Sequence, residues 1–76
     1  MKTEEEIRER MVAFYMNANK FYNRYMDESD PARASDLWYR AYQYMECAVA
    51  LAWVIDAEVP QMGRHPAAPT YLTKSV

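Results

Sequence analysis

The sequence predicts an all-α chain: a long antiparallel two-helix hairpin that dimerises into a four-helix bundle and carries an irregular C-terminal tail. Three observations predict it. Apolar residues recur at alternating spacings of four and three through two long stretches, the period of a helix buried along one face. Both stretches open on capping signals, and the few residues between them make the helices antiparallel neighbours. Each stretch also carries more apolar surface than a single partner helix covers.

The first helix starts at Thr3-Glu4-Glu5-Glu6. This is a capping box, in which Thr3 accepts from the Glu6 amide while Glu6 reaches back to the Thr3 amide. The three glutamates stand where the helix dipole favours negative charge. Ile7, Met11, Phe14, Ala18, Phe21 and Tyr25 then form the seam, and the helix is expected over about 4–27.

Ser29-Asp30-Pro31 restarts the chain. Asp30 caps the next helix, and Pro31 at its first position loses no intrahelical hydrogen bond. Ala34, Trp38, Ala41, Met45, Ala48, Ala52, Ile55 and Val59 continue the seam as far as Pro60, which a helix cannot accommodate. The second helix is expected over about 31–58, roughly 40 Å long at 1.5 Å per residue.

In an antiparallel pair, facing residues have numbers that add to a constant. Here Tyr25 with Ala34, Phe21 with Trp38, Ala18 with Ala41, Phe14 with Met45, Met11 with Ala48 and Ile7 with Ala52 all give 59. That value sets the turn between Ser29 and Asp30, where capping independently puts it. Alanine opposite a large residue in three layers lets the helices approach closely. The hairpin thus occupies 1–59 and the tail 60–76. Prolines at 60, 66 and 69 and the absence of a helical or strand period make the tail extended or irregular, with Gly63 as a turn.

Beside its seam the first helix carries a second stripe of Val12, Tyr15, Tyr22 and Met26, with Asn19 in its middle. The far face of the second helix is polar through Arg33, Asp36, Arg40 and Gln43. It then turns apolar at Cys47, Ala50 and Val54, flanked by Leu51 and Trp53. Leaving Leu51, Trp53 and Val54 in water forfeits roughly 1.5–3 kcal/mol each. A second copy of the chain is therefore expected to cover Val12, Tyr15, Asn19, Tyr22, Met26, Leu51, Trp53 and Val54. The tail is expected to contribute a smaller share, folding back through Met62, Tyr71 and Leu72. Asn19 either fixes the register of that bundle or sits at its wet edge.

With 76 residues the chain makes one domain, short enough to be marginal alone. Cys47 is the only cysteine, so no intramolecular disulfide forms, and a reducing, cytoplasmic setting is expected. Acidic residues in place of an apolar stretch after Thr3 argue against a signal peptide. The longest apolar run, 47–55, is far short of the roughly 20 residues of a membrane span. Nine basic against eleven acidic residues argue against nucleic-acid binding, which would fall to Arg33, Arg40 and the tail cations.

Catalysis has little to work with. A carboxylate-bridged metal site needs Glu-x-x-His pairs or several inward acids, whereas His65 is the only histidine and Glu46 and Asp56 stand apart. Asp56 is expected to pair with Arg8 or Arg10. Cys47 lacks a histidine neighbour and is expected to be covered, as a small hydrophobe. Phosphate loops and nucleophile elbows are absent. The expectation is a non-enzyme without cofactor or metal.

Seven tyrosines, two tryptophans and two phenylalanines suit interfaces that are partly wet. Tyr39 lies on the polar face with Asp36 and Arg40, a tyrosine–arginine patch of the kind that anchors protein partners. Tyr71 and Leu72 are further candidates for partner binding. The leading expectation is a homodimeric protein–protein interaction module, an adaptor or an inhibitor, with an unidentified protein partner. In size and helical form the chain resembles the small dimeric helical proteins with which phages and plasmids block host factors, a likeness that implies the same role. The alternative is a small-ligand binder with an intersubunit pocket walled by Tyr15, Tyr22, Tyr42 and Tyr44, near Lys20 or Arg24.

Overall fold

The computed structural model describes residues 2–63. They form two antiparallel helices, α1 (Glu4–Asp27) and α2 (Pro31–Val54), packed along their length into a hairpin. No strand occurs among the described residues. Residues 64–76 of the tail, Tyr71 and Leu72 among them, lie outside the described residues.

Each helix end follows from local chemistry. Thr3 Oγ1 accepts from the Glu6 amide at 3.1 Å, and Glu6 Oε1 accepts from the Thr3 amide at 3.4 Å, so the capping box is closed. At the turn, Asp30 Oδ2 accepts from the Arg33 amide at 3.0 Å with Pro31 in the first turn of α2. Glu28 Oε1 accepts from the Asp30 amide at 3.1 Å, bracing the three-residue link.

α2 stops at Val54, about one turn short of the end that periodicity predicts. Asp56 takes φ 55°, the left-handed conformation that terminates helices. The Asp56 amide donates to Trp53 O at 3.3 Å and the Ala57 amide to Ala52 O at 2.8 Å, the paired bonds of a Schellman motif. Periodicity misleads here because Ile55 and Val59 stay half-buried after the helix has ended. The reversed chain lays Ile55, Ala57 and Val59 on the cluster of Met11, Tyr15, Ala48 and Ala52.

That cluster is the core. Met11, Tyr15, Ala18, Ala41 and Ala48 are fully buried, so the predicted seam holds in its middle. It shifts at the turn end of α2, where Leu37 takes the inward place and Trp38 is left 43% exposed. The inward face there lies between Leu37 and Ala41, and the Trp38 ring sits at its edge against Tyr25, centroids 5.8 Å apart. Two further expectations fail. Cys47 is exposed, because one antiparallel neighbour leaves the far side of α2 uncovered. Asp56 makes no ion pair among the described residues, and Arg8 turns instead to Glu4, one helical turn away, at 3.9 Å.

Candidate functional site

The second stripe of α1 divides into a covered part and an open part. Tyr15 and Asn19 are 0% and 2% exposed, hidden by their own chain. The residues after α2 run back beside α1 and are held at two points. The Tyr15 hydroxyl donates to Gln61 O at 3.4 Å, and the Gly63 amide donates to Asn19 Oδ1 at 2.9 Å. Asn19 is thus neither at a wet edge nor presented outward: its amide clasps the backbone of the returning segment. Val12 packs against the core cluster, Tyr22 is half-buried, and only Met26 is largely open.

Gln61 and Gly63 are the partners that sequence reasoning missed. The available signal was Asn19 itself, a polar group inside an apolar stripe. Such a group requires a hydrogen-bonding partner, and an irregular segment outside any ladder has backbone groups to offer.

Past the clasp, towards the turn, aromatic rings join the two helices. Tyr22 packs against Tyr25 at 5.9 Å between centroids, Tyr25 against Trp38 at 5.8 Å, and Trp38 against Tyr42 at 6.0 Å, all tilted contacts within the favourable range. Glu46, one turn from Tyr42, accepts a hydrogen bond from its hydroxyl and repels the phenolate, raising the Tyr42 pKa above the ordinary tyrosine value. Two amide atoms of α1, Asn19 Nδ2 and Asn23 Oδ1, are buried with no hydrogen-bond partner among the described residues.

At the other end of α2 the surface is apolar and open. Trp53 is 83% exposed and Val54 59%, with Val49 and Ala50 exposed beside them. Spacings of three and four make these four side chains neighbours on the helix. Leu51 lies on a different side, half-buried in a shallow cleft with Ile7, Arg10 and Ala13.

On the outward face of α2, Tyr39 is exposed, and Arg40 Nε stands 3.0 Å from Asp36 Oδ2. The tyrosine–arginine patch is therefore laid out as the helix spacing requires, with an ion pair that holds the guanidinium in place and adds little stability. The four tyrosines of the expected pocket keep different company. Tyr44 stacks on Phe21 at 5.6 Å on the opposite edge of the hairpin, Tyr42 meets Trp38, Tyr22 meets Tyr25 and Tyr15 is enclosed. Of the two cations offered to that pocket, Arg24 lies over the Phe21 ring at 5.6 Å, and Lys20 is exposed.

Among the described residues no group of three histidine, cysteine or acidic side chains is placed to hold a metal ion, and no helix is long and apolar enough to cross a membrane. No protein-family model matches the chain, and neither a curated protein nor a solved structure matches it.

Proposed function

We propose that the chain is a non-enzymatic interaction module that pairs with a second copy through the far half of α2 and binds another protein through the Tyr39 face. One observation carries the reading. The hairpin closes its own core, yet leaves Trp53 83% exposed in a patch with Val49, Ala50 and Val54. Contiguous apolar surface of this kind on a small domain marks an association site. A tryptophan at its centre is the residue type that most often dominates binding energy. Partner binding as an adaptor or inhibitor falls to Tyr39, Asp36 and Arg40, which the dimer contact leaves open on the polar half of the helix.

A photo-crosslinking amino acid placed in turn at positions 53 and 39 tests both parts. Position 53 is expected to give an adduct of twice the chain mass with purified protein. Position 39 is expected to give a discrete adduct with a different protein in extracts of the source cell. Absence of the first adduct removes the dimer, and absence of the second removes the partner face.

A further inference from the structure

Four open side chains of α2 form one line, and the line reads alike from either end. Trp38, Tyr42, Val49 and Trp53 are 43%, 48%, 51% and 83% exposed, and they follow one another at spacings of four, seven and four. Successive helical residues turn by about 100°, so all four fall on one stripe. The stripe lies about 90° round the helix from the seam of Ala41 and Ala48, the angle at which a helix in a four-helix bundle meets its second neighbour. On α1 the returning segment already covers Tyr15 and Asn19, so the open surface belongs to α2.

The symmetry of the stripe selects its occupant. A contact across a two-fold axis is self-complementary: if residue i of one copy meets residue j of the other, j also meets i. In an antiparallel pair of α2 helices whose facing numbers add to 91, Trp38 meets Trp53 and Tyr42 meets Val49, each twice. A large ring then faces a small side chain in both central layers, which packs evenly. A parallel pair would set Tyr42 against Tyr42 and Val49 against Val49, a wide layer beside a narrow one. Antiparallel helices also oppose their dipoles. A foreign partner would give the stripe no reason to be symmetric.

The area suffices. At roughly 150–250 Å² for a whole side chain of this size, the exposed fractions leave about 450 Å² on each copy. With the flanking Met45, Glu46 and Ala50, two copies bury more than about 1,000 Å² together, the least that a specific interface needs.

We infer that two copies pair antiparallel along this stripe, about a two-fold axis passing between Met45 and Glu46, so that Trp53 of each copy docks on Trp38 of the other. The inference rests on the dimer reading above and adds its direction and register. The two Glu46 carboxylates stand at the exposed rim of the contact, where like charges cost little. Asp36 and Arg40 lie more than about 100° round the helix from the stripe, outside the contact.

Spin-label distances test the register. Position 32 is exposed and lies off the stripe. In Cys47→Ser, Ala32→Cys, nitroxides on the two copies are expected about 40–45 Å apart, from the rise per residue on either side of the axis and the usual interaxial distance. A separation below about 25 Å would mean parallel helices, and one above about 60 Å a contact confined to the Trp53 end. Either would overturn the register and leave the dimer standing. Sedimentation gives the second test. Trp38→Lys, with its helicity intact, is expected to weaken pairing at least about tenfold, although Trp38 lies outside the Trp53 patch. Unchanged pairing in Trp38→Lys beside lost pairing in Trp53→Lys would overturn the register alone. A single-chain mass for the unmodified protein would overturn register and dimer together.

Discussion

Gly63 and Asn19, far apart in sequence, are joined by a hydrogen bond of 2.9 Å from the Gly63 amide to Asn19 Oδ1. It fixes the returning segment over a stripe of α1 that would otherwise face water. Asn19→Leu keeps the volume and strands the Gly63 amide, which is half-buried. The expected loss is about 1–3 kcal/mol, the desolvation cost of an unpaired group. Denaturant titration together with faster hydrogen exchange at Gly63 checks this; unchanged exchange there would show that the clasp carries no weight.

Met11 and Ala48 are both fully buried in one cluster, as their places in the antiparallel register require. Met11→Ala is expected to cost about 2–5 kcal/mol, and Ala48→Met about 1–3 kcal/mol by overpacking. Combined, they exchange a large and a small side chain across one layer. The double variant is therefore expected to be more stable than the sum of the two losses by about 1 kcal/mol or more. Strict additivity in thermal or denaturant unfolding would contradict the facing register.

Asp56 holds φ 55° with a side chain that glycine would dispense with, and its negative charge sits at the C-terminal end of a helix dipole. Asp56→Gly keeps the Schellman bonds and relieves both penalties, so a gain of about 1 kcal/mol is expected. For a domain of this size that corresponds to a rise of roughly 4–8 °C in Tm. A lower Tm would mean that the Asp56 carboxylate makes a contact worth more than the strain.

Tyr42 titrates above the ordinary tyrosine value, first because its hydroxyl donates to Glu46 and then because the carboxylate opposes a second negative charge. A pKa raised by folding contributes stability that is fully present below the unfolded-state value, about 10, and lost as pH rises through the higher folded value. Glu46→Gln removes the charge and is expected to bring the Tyr42 pKa down towards the ordinary one. Tyrosinate absorbance or NMR titration of Tyr42 reads this directly. An unchanged value would dissociate the shift from Glu46.

Much of this architecture was legible because its signals are local or periodic. The Thr3 capping box, the Asp30-Pro31 restart and the alternation of Met11, Ala18, Ala41 and Ala48 depend only on helix geometry, which a linear sequence displays. Trp38 and Leu37 were interchanged because a large aromatic at the seam's edge fits the same spacing as one inside it. The early end of α2 was hidden because Ile55 and Val59 keep the apolar rhythm after the backbone has reversed at Asp56. The clasp of Asn19 by Gly63 and of Tyr15 by Gln61 is a tertiary contact made through main-chain atoms, and main-chain atoms have no sequence signature. For that reason Tyr15 and Asn19 looked like surface awaiting a partner.

What the returning segment leaves uncovered is the patch of Val49, Trp53 and Val54, so association through α2 is the central claim. Sedimentation equilibrium on the full chain at tens of micromolar tests it most directly. A mass twice the 9.0 kDa of one chain, falling to a single chain in Trp53→Lys with its helicity intact, is the predicted result. A single-chain mass for the unmodified protein would contradict it.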